Sequence, residues 1–497
     1  MQAAGSTLAE RLRFLAKDSA IYGVGGALNK AVTLITFPIL ARHFSVKDFG
    51  VIDLLNTLIV LVVTLLVFGQ DSAVARFFYE REDVATRRQV VSQSFALQLG
   101  ILVLAVPLLL VLSAPLARLL DSGEDGLKIV RLMILQVPFF LLINFSQGIL
   151  KWTFKRWHFL FISVGSTLAT LAGLLLTLAL WDLSVVELFT IYLAVRALFG
   201  LIGLWFVRQW LTRPAGFEHL RQLVPFAVPF GLICVANSAL PVLERNMVVS
   251  LVSAEALGLF AAGAKVAMLI GLAINAFETS WGPFSLSIFR EPDAAHTFRW
   301  VFKLVAAGLC AVTLLLTAFG DLVVVLLGSS KYEGAGGVVF ALTMGLAIQS
   351  IGSVTEVGIV FSKKSHLKLY AYGVGLAVAT LAMPLLGSRF GIVGVAWGSL
   401  AGYVAKAFVE GWLAQSAHQI DWRYAGPVGI CVLTLAIGLV HQAWFDRAVL
   451  FGVRWIPLAG LASLLASGWF LFLDAGDRAS VLARWRAWRT TVPRGPG

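Results

Sequence analysis

Fourteen stretches of about twenty mostly apolar residues follow one another along this chain, each long enough to cross the hydrocarbon core of a bilayer as a helix. They lie near 19–41, 49–69, 91–113, 128–150, 159–181, 186–207, 225–251, 256–284, 299–319, 338–361, 369–388, 391–414, 427–445 and 453–473. Only 13% of the residues are charged, against about 25% in a typical soluble domain. That leaves too little polar surface to coat a globule of 497 residues, so most of the chain must face lipid. The alternating ten-residue pattern of a membrane barrel does not occur. The expected fold is therefore all-α integral membrane, with about 14 transmembrane helices.

The connections between these stretches are short, none longer than about twenty residues, which leaves no room for a soluble catalytic domain. The net charge is +12, but the basic residues sit in small clusters between apolar runs. That is the pattern of membrane-protein loops, not of a nucleic-acid-binding face. Twenty-five basic residues fall on the side that carries both chain ends, against eight on the other. The positive-inside rule then predicts both termini in the cytoplasm. The basic tail after Asp474, with Trp485 and Trp488 beside Arg484, Arg486 and Arg489, is expected to lie along the anionic leaflet.

A short motif recurs. Ser45 to Val51 (SVKDFGV) opens the second span, and Ser253 to Leu259 (SAEALGL) opens the eighth, 208 residues later. Six spans separate the copies, so both halves run in the same direction through the membrane. This predicts two six-helix lobes related by a pseudo-two-fold axis along the membrane normal. Residues 1–210 would form the N-lobe and 211–415 the C-lobe, with 416–497 adding two C-terminal helices and the tail.

Charges within a membrane are costly and usually mark a cavity or a partner. The deep cations are Lys30, Arg196, Arg245 and Lys265. Lys30 lies ~16 Å from the cytoplasmic end of its span at 1.5 Å per residue. Together these side chains can build a basic cavity for an anionic substrate, or each can pair structurally, as Arg245 can with adjacent Glu244. Asp53, Glu244, Glu278 and Glu356 are candidates for holding a coupling proton or sodium ion, or for neutralising those cations. Lys406 and Glu410 stand one helical turn apart and read as a structural pair. Asn29, Asn56, Asn237 and Asn275 can bond between helices or to substrate hydroxyls. Gly25 and Pro38 are candidate hinges in the first span, and Pro138, Pro229 and Pro241 interrupt others. Cys234, Cys310 and Cys431 lie singly inside apolar runs, with no zinc or disulfide spacing. Metalloprotease, nucleotide-binding-loop and serine-hydrolase motifs are absent, so no cofactor, metal or catalytic residue is expected. The chain reads as a secondary transporter.

Residues 20–80 carry a resemblance. Ala20-Ile21-Tyr22-Gly23, Lys30, Phe37-Pro38-Ile39-Leu40-Ala41-Arg42, Phe49-Gly50, Gly69 and Ala75-Arg76-Phe77-Phe78-Tyr79-Glu80 resemble the start of a polysaccharide-transport (Wzx-type) flippase. That family belongs to the multidrug/oligosaccharidyl-lipid/polysaccharide exporter superfamily. Residues 225–285 resemble it more weakly, while length, span number and the two extra C-terminal spans fit throughout. The resemblance implies movement of undecaprenyl-diphosphate-linked oligosaccharide from the cytoplasmic to the periplasmic leaflet by alternating access, driven by an ion gradient. It also implies polysaccharide polymerases and glycosyltransferases as pathway partners. A lipid II flippase, a small-molecule cation antiporter of the same superfamily, and a membrane glycosyltransferase or polymerase are the alternatives. The antiporter would call for acidic cavity residues, and the transferase for a large outer loop.

Overall fold

Backbone polar groups have no water to bond inside a bilayer, so a chain this apolar is driven to satisfy them within helices. In the computed structural model, which describes residues 8–119, 125–289, 291, 293–362, 364–445, 455–471 and 483, all fourteen apolar runs are helical over the described residues, and no strand occurs among them. The helices are α1 (Leu8–His43), α2 (Val46–Val67), α3 (Gln70–Glu80), α4 (Val84–Val111), α5 (Ser113–Leu119), α6 (Gly126–Trp152), α7 (Arg156–Leu180) and α8 (Val185–Val207). After an irregular link come α9 (Glu218–Leu251), α10 (Ala254–Ala267), α11 (Gly271–Ile288) and α12 (Ala294–Gly328). The chain ends with α13 (Val339–Thr355), α14 (Val357–Phe361), α15 (His366–Ala417), α16 (Ala425–Phe445) and α17 (Trp455–Leu471). Eleven helical segments among the described residues are long and apolar enough to cross a membrane. The basic tail lies outside the described residues, apart from Ala483.

One of the eleven segments, α15, is 52 residues long. At 1.5 Å per residue it would far overshoot a bilayer if straight. It reverses at Gly391, whose φ of 59° and ψ of −138° leave the helical region. Only glycine visits such a conformation readily. The arms before and after this turn correspond to the eleventh and twelfth apolar runs. They touch backbone to backbone: a Cβ on Gly398 would lie 2.6 Å from Met383, and one on Gly402 2.6 Å from the Gly375 carbonyl oxygen. Small residues at four-residue spacing permit this approach, which dispersion contacts between the arms then stabilise.

The repeated motif proves to be a contact between the two halves. Ser45 caps α2 by accepting the Asp48 backbone N–H, and Ser253 caps α10 by accepting that of Ala256. The two helices then cross glycine on glycine. A Cβ on Gly50 would come 2.7 Å from the Gly258 nitrogen, and one on Gly258 would overlap the Val46 carbonyl oxygen. The two copies of the motif thus pack on each other.

On the opposite side, α2 ends at Phe68 and Gly69, both in the left-handed region, and the chain turns into the amphipathic α3. Gly69 lies against Ala227 and Gly231 of α9, again with no space for a side chain. Asp83 then caps α4. Its carboxylate accepts the Thr86 backbone N–H and hydroxyl at 2.8 Å each. Those donors hold its pKa below the usual carboxylate range.

Candidate functional site

Two adjoining cavities between the halves share Thr33, Phe37 and Lys265. The first, of about 470 Å³, is lined from the N-terminal half by α1, α2, α6, α7 and α8. The second, of about 650 Å³, lies between α1 and the C-terminal half, with Leu34, Met268, Leu272 and Leu346 among its apolar walls. A third, of about 540 Å³, shares Phe140, Asn144 and Gln147 with the first and extends it toward α3 and Lys151. Together they form one chamber with a polar side and an apolar side.

The polar side is built from helical periodicity. Asn29, Thr33 and Thr36 recur along α1, Asn144 and Gln147 along α6, and Tyr192 and Arg196 along α8. On α7, Ser163, Ser166, Thr167 and Thr170 form a stripe of hydroxyls. Ser166, Thr167 and Thr170 donate to carbonyls one turn back, at 2.8–3.1 Å. Their donors are satisfied within the helix, so their oxygens are left to accept from a ligand. Asn29 donates to the Ser163 hydroxyl at 2.7 Å, fixing α1 to α7.

Asp53 anchors the boundary between the halves. Buried on α2, it accepts Lys265 Nζ at 2.7 Å and Arg245 Nε at 3.1 Å. Arg245 also pairs with Glu244 at 2.8 Å, and the Ser399 hydroxyl donates to the other oxygen of Glu244. Two carboxylates and two cations thus form a neutral quartet joining α2, α9 and α10, with α15 attached through Ser399. Arg245 does not line the chamber. The adjacent pairing open to it in the sequence is present, extended by Asp53 from 192 residues away. Lys265 is shared between the quartet and the chamber.

A model of the family described as polysaccharide biosynthesis protein matches residues 15–289, more than half of the chain. The chain belongs to this family. As a polysaccharide biosynthesis protein it is 24% identical, over 290 residues, to an uncharacterized membrane protein of Haemophilus influenzae; the match spans 56% of this chain and 66% of that relative, just under two thirds of its length. The fold is that of a solved lipid II flippase, MurJ, in an inward closed conformation, with a TM-score of 0.66, 14% identity, and coverage of 91% of this chain and 98% of that one. A multidrug resistance MATE family transporter of the MOP superfamily, inward-facing, superposes with a TM-score of 0.64 at 15% identity, covering 78% and 94%. These findings agree with the resemblance to Wzx-type flippases carried by residues 20–80. They make the chain a multi-pass membrane protein of the polysaccharide biosynthesis family.

Within this polysaccharide biosynthesis protein, the other predicted residues fall as follows. Lys30 reaches across the halves to the Gly271 carbonyl at 2.6 Å, beside the break between α10 and α11, and shares the apolar-sided cavity with Glu278. Arg196 faces the polar cavity and donates to Gln136. Glu356 pairs with Lys368 at 2.9 Å, and buried Glu410 with Lys406 at 2.9 Å, and none of the four lines the chamber. Gly25 is helical and sits where α1 crosses Leu160 of α7, while Pro38 lies within unbroken α1. Of the four amides, Asn29 and Asn56 line the polar cavity, and Asn237 accepts from Gln349 at 3.0 Å on the third cavity. Sequence reasoning missed the α7 hydroxyl stripe, Asn144, Gln147 and Gln136. The three- and four-residue spacing of Ser163, Ser166, Thr167 and Thr170 was the available signal.

The chamber is closed at the face predicted to be periplasmic. Arg42, at the end of α1, donates to the carbonyls of Leu326 and Leu327 at 2.7 and 3.2 Å, which end α12. Lys331 donates back to the carbonyls of Arg42 and Phe44 at 3.2 and 2.5 Å. Each half thereby caps a helix C-terminus of the other, where the dipole favours a cation. Beneath this latch Phe49 packs on Phe37 and Tyr332, with ring centroids 5.6 Å apart in each case. Replacing both Arg42 and Lys331 by Ala is expected to weaken closure by ~1–3 kcal/mol. The readout is the labelling rate of a cysteine at position 36, in a background without the three native cysteines. An unchanged rate would mean that the latch does not hold this face shut.

Proposed function

We propose that this protein is a flippase that carries undecaprenyl-diphosphate-linked oligosaccharide from the cytoplasmic to the periplasmic leaflet of a bacterial inner membrane. The observation that carries the reading is the two-sided chamber. Its hydroxyl and amide wall suits an oligosaccharide, its apolar side suits a lipid, and Lys265 stands where the two sides meet, with Lys30 on the apolar side beside it. A diphosphate joins sugar to lipid in such a molecule and needs cations in a low-dielectric site. Lys30 comes from α1 and Lys265 from α10, so the pair spans both halves and can report a bound phosphate to each.

In this reading both termini are cytoplasmic, and the closed face bearing Arg42 and Lys331 is periplasmic. Transport alternates between that state and one open to the periplasm. Lys265 reaches the phosphate by leaving Asp53, so substrate binding and the interlobe quartet compete for one ammonium group. A proton or sodium gradient supplies the drive, with Glu278, facing the chamber beside Lys30, as its candidate site. Glycosyltransferases would supply the substrate and a polymerase would consume it. A cation antiporter is less favoured, because Asp53 is engaged by Arg245 and Lys265, and Glu278 faces the chamber beside Lys30.

The double variant Lys30→Ala, Lys265→Ala tests the reading. Losing two charge-assisted contacts at ~1.5–3 kcal/mol each is expected to reduce surface polysaccharide by roughly 100-fold or more. Normal polysaccharide at unchanged protein level would defeat it.

A further inference from the structure

The polar side of the chamber contains a cation that the protein itself does not neutralise. Arg196 on α8 donates to Gln136 and lies over two rings, its Cζ 4.7 Å from the Phe140 centroid and 5.6 Å from that of Tyr192. Gln136 is fully buried. Its amide nitrogen donates to the carbonyls of Leu132 and Phe189 at 3.1 and 3.3 Å, which fixes its oxygen toward the guanidinium. The chain thus places a rigid but neutral acceptor behind Arg196. Among the described residues no carboxylate lies within 4.0 Å of it.

The other chamber cations differ. Lys265 has Asp53 at 2.7 Å, Lys30 shares its cavity with Glu278, and Lys151 shares the third cavity with Asp71. A half-buried guanidinium held by an amide and two rings lacks the counter-charge that removal from water demands. Its remaining N–H groups form a planar fork, the shape that accepts a carboxylate in two parallel bonds. Around it stand Asn144, Gln147, Thr170 and Asn56, groups suited to sugar hydroxyls.

We propose that Arg196 binds the carboxylate of an acidic sugar, so that the transported glycan is an acidic one. This rests on the flippase reading and deepens it. The lipid diphosphate is assigned to Lys30 and Lys265 on the apolar side, and Arg196 reads a second negative charge in the sugar chain. The single bond that Arg196 donates to Gln136 orients the fork without consuming its charge.

The test starts from a strain in which the gene is deleted, comparing its surface glycans with those of the parent by composition. The glycan that disappears is expected to contain a carboxylated sugar. Restoring the gene as Arg196→Gln is expected to return at least roughly tenfold less of that glycan than the wild-type gene does, the loss of one charge-assisted pair. Arg196→Lys, which keeps the charge without the fork, should return an intermediate amount. Purified Arg196→Gln in nanodiscs should still bind undecaprenyl diphosphate like the wild type. A missing glycan that is neutral, or charged through phosphate alone, would overturn the proposal, and the composition arm stands even where a variant fails to accumulate. Wild-type export by Arg196→Gln, or loss of undecaprenyl diphosphate binding by it, would overturn it as well, the latter by giving Arg196 to the phosphate. A deletion that leaves every surface glycan unchanged counts instead against the flippase reading, and the acidic-sugar proposal falls with it.

Discussion

Arg245→Ala is expected to cost the protein ~3–5 kcal/mol of stability, the usual consequence of removing one partner from a buried ion pair. Arg245 is 2% exposed, Asp53 3% and Glu244 5%. Without the guanidinium, Asp53 keeps Lys265, but Glu244 retains only the Ser399 hydroxyl. A buried carboxylate with no cation must take up a proton or draw in water, and either loosens the packing of α2, α9 and α15. A fall in midpoint of roughly 3–5 °C is expected when the purified protein is heated in detergent. Removing the stranded charge should restore much of this. In Glu244→Gln with Arg245→Leu, the surviving Asp53–Lys265 pair is neutral and the new leucine fills part of the vacated volume. An unshifted midpoint in Arg245→Ala, or a double variant no more stable than the single one, would show that the quartet does not hold the halves together.

Gly258→Val is expected to prevent closure of the face bearing Arg42 and Lys331. The obstacle is backbone: a Cβ on Gly258 would overlap the Val46 carbonyl, which has no rotamer by which to yield. Overpacking within a core costs ~1–3 kcal/mol, and a contact with fixed backbone belongs at the upper end. Three kcal/mol is roughly a 100-fold change in an equilibrium constant. The contact joins the two halves rather than stabilising either, so each half should still fold. The variant is thus expected to reach the membrane at normal levels, export little or no glycan, and rest with this face open. Spin labels at positions 47 and 255 would read the change as a longer distance distribution. Distances and export equal to the wild type would show that α2 and α10 separate by some other route.

The spans were legible because lipid imposes a single rule on every residue that faces it. The turn at Gly391 was visible as the gap between two apolar runs, although the helix is continuous on either side of it. The repeat at Ser45 and Ser253 could be seen, but not that its two copies touch. That contact joins residues more than two hundred positions apart. The same distance hid Asp53 as the group that holds Arg245 and Lys265. A charge in a span announces that a partner or a cavity exists without saying which. For Arg196 the deciding neighbour is Gln136, 60 residues away and uncharged, so no charge pattern pointed to it. The hydroxyl stripe on α7 was present in the sequence at helical spacing. Serine and threonine are tolerated inside spans because they bond to their own helix, so the stripe passed as part of an apolar run.

The hairpin of α15 has an effect beyond its own packing. Its two arms meet closely at Gly375, Gly398 and Gly402, where backbone and small side chains fill the space between them. Close packing of this kind favours movement of the two arms as one body. Ser399, which holds Glu244 at the junction of the halves, and Glu410, which holds Lys406, lie on the same arm, eleven residues or ~16 Å apart. The hairpin is therefore a stiff lever. In the proposed cycle, a displacement of Glu244 as Lys265 leaves Asp53 for a substrate would be carried along this arm toward the Lys406–Glu410 pair.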